Sequence, residues 1–124
     1  MALAAFMAVG CLPEEQHINV DPAMLQGLWQ KNGTHEYWRY RADGTGVTWD
    51  ATPDPETGEP EITEEESNLT FEWEVEVDEL TMVFRGSEGN QAVPKVYTIK
   101  SISDVSMSWR DNYGMTHTFD KVFE

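Results

Sequence analysis

Hydrophobic and polar residues alternate most clearly between Leu69 and Arg85, a stretch that reads LTFEWEVEVDELTMVFR. In its first half, aromatic and β-branched residues take every second position and glutamates take the positions between. A period of two is typical of a β-strand with one buried and one solvated face. The alternation resumes at Leu80 after Asp78 and Glu79, so a two-residue turn would place Val77 opposite Leu80. This stretch therefore predicts a hairpin whose apolar side chains share one side.

A second hairpin is predicted on either side of the dipeptide Asp43-Gly44. Asp-Gly between two alternating runs favours a two-residue type I′ turn. The apolar residues of both runs are expected to point inward, because the opposite orientation would bury Arg39 and Arg41 at a high desolvation cost. With this turn, two inward pairs are expected: Tyr40 with Val47, and Trp38 with Trp49.

The remaining chain shows short alternating runs between turn residues. Asp21 followed by Pro22 is typical of the start of a short helix, and Gly27 would end it. The predicted strands begin at Gly27 and continue at 36–41, 47–49, 69–77, 80–85, 96–100, 106–110 and 116–123. Eight sequential strands predict an all-β fold: an eight-stranded antiparallel up-and-down barrel with a short N-terminal helical turn, since closure removes exposed edges. A two-sheet sandwich is the alternative.

Length and charge limit the classes of function. A chain of 124 residues is one domain, and a net charge of −15 argues against nucleic acid as a partner. Between Asp50 and Glu79 there are 13 carboxylates and no lysine or arginine. The simplest interpretation of this acidic region is a solvated face, and the alternatives are a partner surface or a weak calcium site. No Asp-x-Asp-x-Asp-Gly loop supports the calcium site.

The N-terminal residues form a short apolar run, Ala2–Val9, followed by Gly10 and Cys11. A small residue before a single cysteine resembles the end of a bacterial lipoprotein signal peptide. This resemblance implies lipidation at Cys11 and anchoring in the outer membrane, on the periplasmic or cell-surface side. Residues 1–20 would then be a signal remnant and tether, and residues 21–124 the barrel domain. The alternative is a frayed apolar tail with an incidental cysteine.

Several spaced motifs between residues 25 and 123 resemble the lipocalin-like domain of small secreted Bacteroidetes lipoproteins. They are Gly27-x-Trp29, Tyr37 to Tyr40 before Asp43-Gly44-Thr45, Phe71-x-Trp73, Leu80, Tyr97-x-Ile99 and Phe119-x-Lys121-Val122. In that family, the tryptophan of the first motif closes one end of the barrel and a basic side chain packs on it. The resemblance implies these roles for Trp29 and Lys121, joined by a cation–π contact.

An eight-stranded barrel has an interior that side chains can fill or that can hold one small ligand. The residues expected to line a ligand cavity are Trp38, Tyr40, Trp49, Trp73, Phe84, Tyr97, Trp109 and His117. Tyr97 and His117 would supply its polar groups. The alternative is that these bulky side chains form a packed core with no cavity.

No catalytic motif is present, so we expect no enzymatic activity and no cofactor. His17, His35 and His117 lack the spacing of zinc ligands, and no metal site is predicted. The first hypothesis is a lipid-anchored, lipocalin-like binding module for a small hydrophobic ligand, attached to the membrane through the lipid alone. The second is a filled barrel that serves as a non-enzymatic accessory protein of the cell envelope, meeting a protein partner through its acidic face.

Overall fold

The eight strands are present in a computed structural model of the protein, which describes residues 17–67, 69–85 and 92–124. Each strand pairs with the next in antiparallel fashion, and the last pairs with the first to close the barrel. The predicted all-β up-and-down barrel with an N-terminal helical turn is confirmed, and no two-sheet sandwich forms. The elements are α1 (Pro22–Leu25), β1 (Gly27–Lys31), β2 (Glu36–Tyr40), β3 (Thr45–Asp50), a 3-10 turn (Glu64–Glu66), β4 (Thr70–Glu76), β5 (Glu79–Arg85), β6 (Ala92–Ile102), β7 (Ser106–Arg110) and β8 (Thr116–Val122).

Helix α1 covers the end of the barrel where β1 begins, which we call the closed end. Asp21 caps the helix by accepting a hydrogen bond from the backbone N–H of Ala23 at 3.0 Å. Leu25 and Trp29 are fully buried, and Trp29 Nε1 donates to the Leu25 carbonyl at 2.9 Å. The helix therefore buries an apolar side chain and also satisfies the polar atom of the tryptophan beneath it. Within the described ranges, no helix has the length and apolar character that crossing a membrane requires.

Residues 17–20 also lie against the closed end. The backbone N–H of Val20 donates to the Val77 carbonyl at 2.8 Å, and the Val20 side chain is buried. His17 Nδ1 lies 2.6 Å from Oδ2 of Asp78. Contacts with the barrel thus begin before residue 21, the boundary predicted from sequence. Cys11 lies outside the described residues.

The hairpin of β4 and β5 keeps its predicted faces, but its turn lies one residue earlier than predicted and its strand pairing is shifted by two residues. Val75 pairs with Leu80, so the turn is Val77-Asp78 rather than Asp78-Glu79. Val77 takes a φ of 61°, which a β-branched residue rarely adopts, and this is why the sequence did not indicate it as a turn residue. Tertiary contacts hold the turn, since the Asp78 carbonyl accepts from the Ile99 N–H at 2.8 Å. A shift of two residues in the pairing leaves the side chains of both strands on their predicted faces. Val77, which was predicted to point inward opposite Leu80, instead lies in the turn with an exposed side chain.

The hairpin of β2 and β3 differs from the prediction by one residue, and this reverses a face. Arg41 N donates to the Thr45 carbonyl at 2.8 Å around a three-residue loop, in which Gly44 has a φ of 88°. Such a loop is the common alternative to the two-residue turn. Trp38 consequently pairs with Thr48, and Trp49 moves to the outer face. The predicted inward positions of Trp49 and Val47 were therefore wrong.

On the outer face, Trp49 stacks on Tyr37 with ring centroids 5.5 Å apart. Inside the barrel, Gly46 takes the position opposite Tyr40. A Cβ atom at Gly46 would collide with the Phe71 ring and with the Arg39 carbonyl. The one-residue shift therefore places a glycine, which has no Cβ, at the position where the Phe71 ring packs.

The acidic segment between β3 and β4 folds back along the outside of the barrel. Oε2 of Glu64 accepts from Arg39 at 3.0 Å and from Arg41 at 3.1 Å. Ser67 Oγ donates to the Thr48 carbonyl at 2.7 Å. This cover explains why Val47 is buried although it faces outward.

Candidate functional site

A cavity of about 500 Å³ opens at the end of the barrel opposite α1, which we call the mouth. It lies among the end of β1, the starts of β2, β6 and β8, and the turn that follows β7. Pockets for small molecules typically measure about 300–1,000 Å³. The cavity is therefore large enough for one small ligand.

Aromatic rings form the floor of this cavity. Trp38 makes edge contacts with Trp109 and Phe119, at centroid distances of 5.7 Å and 6.2 Å. Tyr97 stacks on Trp109 at 4.6 Å with an angle of 22° between the rings. Trp38 also contacts Phe71 and Phe84, so rings fill the barrel below the floor. A ligand therefore has room at the mouth but not along the whole interior.

The indole nitrogen of Trp38 is buried and has no hydrogen-bond partner among the described residues. A buried unsatisfied donor costs about 1–3 kcal/mol, and most such groups in native proteins have a partner. Trp73 illustrates the usual arrangement, since its Nε1 donates to the carbonyls of Arg41 and Thr45 at 3.2 Å and 3.0 Å. Trp38, which lines the cavity, thus differs from Trp73 in having an indole N–H without a partner in the described part of the chain.

The rim of the cavity holds an ordered acid–imidazole pair. His117 Nε2 lies 2.9 Å from Oδ2 of Asp111, and Oδ1 of Asp111 accepts from the backbone N–H groups of Tyr113 and Met115 at 2.9 Å. The hydrogen bond with His117 contributes most to lowering the pKa of Asp111, and the backbone donors add to it. Burial raises the pKa of Tyr97, and the nearby carboxylates of Asp111 and Glu36 raise it further. The carboxylate is thus ionised and oriented, and the phenol keeps its proton.

Three further charged residues of the mouth were not predicted. Lys31, Glu36 and Lys95 all line the cavity. Each lies two residues from an inward aromatic side chain, and side chains two residues apart on a strand share a face. Extending the alternation from Trp29 and Tyr97 would have found the two lysines. An alternation defined mainly by apolar residues does not include these charged residues at the strand ends.

The predicted cavity residues separate into three groups. Trp38, Tyr97, Trp109 and His117 line the cavity. Tyr40 and Trp73 pack against each other at 5.5 Å in the buried core, and Phe84 contacts Phe71 at 5.3 Å. Trp49 lies on the outer face, as described above. Half of the predicted residues are thus brought together at the mouth.

The residues assigned to barrel closure meet at the closed end. Nζ of Lys121 lies 4.5 Å from the centroid of the Trp29 ring and donates to the Gln26 carbonyl at 3.0 Å. Burial lowers the pKa of Lys121. The ammonium is therefore held by a ring face and a carbonyl rather than by a carboxylate.

In the ranges that the structure describes, no group of three or more His, Cys, Asp or Glu side chains could hold a metal ion. The fold and the cavity define the molecule as a closed eight-stranded barrel with one open end. No family model matches the chain, and neither the curated proteins nor the solved structures include a significant match to it. Function therefore has to be argued from the mouth itself.

Proposed function

We propose that the protein is a binding module for a small, largely apolar molecule, which it takes up at the mouth of the barrel. The observation that supports this proposal is the cavity of about 500 Å³, with aromatic rings as its floor and charged residues around its rim. Binding sites for small molecules combine an apolar wall with a few polar groups in this way.

The floor and the rim would contribute differently to binding. The faces and edges of Trp109 and Phe119 favour a flat ring, because aromatic pairs prefer stacked or edge contacts. His117, held by Asp111, and the Tyr97 hydroxyl would orient a polar group near the entrance. The packed rings below Trp38 limit the ligand to the mouth of the barrel.

The proposal is tested with N-phenyl-1-naphthylamine, a neutral aromatic probe whose fluorescence rises in an apolar site. We expect saturable binding to the purified chain and its loss in Val93→Trp, because Val93 lines the cavity and a larger side chain would occupy the mouth. The control is Val105→Trp, at an exposed position in the turn between β6 and β7, near the closed end. Both variants should remain folded by circular dichroism, since both valines are exposed.

Equal binding by the two variants would mean that the probe binds elsewhere and would contradict the proposal. A broad panel of lipophilic compounds that neither binds nor changes tryptophan fluorescence would favour the filled-barrel accessory protein instead. Two observations support that second role. Aromatic rings fill the barrel interior below the floor of the cavity, and Glu72, Glu74 and Glu76 are exposed along β4.

We further propose that the barrel is held to the outer membrane by lipid on Cys11. The support is the small-residue pattern before the single cysteine in the sequence. Cys11→Ser, expressed in cells that process lipoproteins, should move the protein from the membrane fraction to the soluble fraction. Membrane fractionation that does not change would exclude the anchor.

A further inference from the structure

Two lysines project into the mouth from strands that are not neighbours. Lys31 pairs with the inward residue Phe119 across β1 and β8, and Lys95 pairs with the buried Met82 across β5 and β6. Strands β7 and β8 separate β6 from β1 in the closed barrel, yet both lysines line the same cavity. The cavity therefore has an ammonium group on two sides.

These lysines differ from other cations of the chain in their partners. Arg39 and Arg41 bind Glu64, Arg85 lies 3.6 Å from Glu72, and Lys121 lies over Trp29. Neither Lys31 nor Lys95 forms an ion pair with any residue of the described ranges, although the chain has 23 acidic residues against 8 basic ones. Most surface lysines are simply solvated, but here the two lie at one opening above an aromatic floor.

The carboxylates of the mouth do not neutralise both lysines. Asp111 is engaged by His117 and by two backbone N–H groups. Among the described residues that line the cavity, Glu36 is the other carboxylate. In a chain with a net charge of −15, the described residues that line the mouth thus include two lysines and, besides the engaged Asp111, one carboxylate.

We propose that the ligand of the mouth is a planar aromatic anion, whose rings rest on Trp109 and Phe119 and whose acidic group is attracted by Lys31 and Lys95. This inference rests on the proposed function and adds the chemical class of the ligand. The acidic group, a carboxylate or a sulfonate, lies at the rim, where water still reaches it. A partly hydrated ion pair is worth less than a buried one, so each lysine contributes modestly and the rings supply most of the affinity.

The test compares two probes that differ by one sulfonate group: 1-anilinonaphthalene-8-sulfonate and the neutral N-phenyl-1-naphthylamine. We expect the sulfonate to bind the full chain more tightly than the neutral probe. Lys31→Gln and Lys95→Gln should each weaken sulfonate binding about two- to fivefold, and the double variant roughly tenfold. Binding of the neutral probe should change less than twofold in all three variants, because glutamine keeps the shape of the rim without its charge.

Lys100→Gln is the matched control, since it removes the same charge from the same strand at a residue that does not line the cavity. If Lys100→Gln weakened sulfonate binding as much as Lys95→Gln does, the affinity for the sulfonate would depend on the net charge of the protein and not on the mouth. That result would overturn the inference. Equal affinity for the two probes, unchanged by the lysine variants, would also overturn it and leave the proposed function standing. Absence of binding by either probe would remove the proposed function and this inference together.

Discussion

The closed end and the mouth of the barrel use the same residue types in opposite ways. At the closed end, the Trp29 N–H has a carbonyl acceptor and the Lys121 ammonium has a ring and a carbonyl. At the mouth, the Trp38 N–H and the ammonium of Lys95 have no such partners among the described residues. Polar groups that have partners inside the protein stabilise its fold. Polar groups without such partners can still gain one from a ligand. If the mouth binds a ligand as proposed, the two ends separate stability from recognition, and the predictions below test that separation.

The largest effect is expected from Trp29→Ala. Trp29 is fully buried at the closed end, and replacing a buried tryptophan by alanine typically costs about 3–5 kcal/mol. Trp49→Ala is the control, because Trp49 is half-buried on the outer face, where it stacks on Tyr37. We expect it to cost about 1–2 kcal/mol. The measurement is the free energy of unfolding in denaturant, and similar losses for the two variants would contradict the observed register of β3.

A second prediction compares two tryptophans at different ends of the interior. Trp73→Phe loses an N–H with two carbonyl acceptors, whereas Trp38→Phe removes an N–H that is buried without a partner in the described ranges. Both changes remove a similar volume. We therefore expect Trp73→Phe to lower the free energy of unfolding by about 1–3 kcal/mol more than Trp38→Phe.

Chemical denaturation of both variants without added ligand gives this difference directly. Equal losses would mean that the Trp38 N–H is already satisfied in the unliganded protein. In that case, Trp38 would no longer distinguish the mouth from the closed end.

The smallest effect concerns the lysines. Lys121→Met removes the cation over Trp29 and should cost about 0.5–2 kcal/mol. Lys31→Met removes a cation with no ion pair in the described part of the chain, and we expect a change within about 0.5 kcal/mol. Thermal unfolding of the two variants in parallel measures both. A loss at Lys31 as large as that at Lys121 would mean that the mouth lysine stabilises the fold and is not reserved for a ligand.

The alternation of apolar and polar residues was sufficient to predict the barrel. Eight strands in sequential order follow from a period of two and from turn residues, and both are local properties of the sequence. The closed end could also be predicted from sequence, because Asp21-Pro22 and Gly27-x-Trp29 are local motifs. The confirmed fold thus depends on information that short stretches of sequence contain.

The register of the hairpins could not be predicted in the same way. Asp43-Gly44 is compatible with a two-residue and a three-residue loop, and the collision that a Cβ at Gly46 would make appears only once Phe71 is beside it. At the Val77-Asp78 turn, hydrogen bonds from Val20 to the Val77 carbonyl and from Ile99 to the Asp78 carbonyl override a local preference against positive φ. Trp49 was misplaced for the first of these reasons. Four of the eight predicted cavity residues were therefore found from strand faces. Loop length misplaced Trp49, the depth of ring packing placed Tyr40, Trp73 and Phe84 in the core, and the charged residues at the strand ends were not predicted.

The contacts of residues 17–20 with the closed end have a consequence for orientation. With lipid on Cys11, as proposed, the six-residue step from Cys11 to His17 spans at most about 20 Å even when fully extended. So short a linker would keep the closed end facing the bilayer and the mouth facing away from it. Cargo would then arrive from the aqueous side and not from the lipid phase, and a molecule that travels through water is better served by a charged group than by a purely apolar surface.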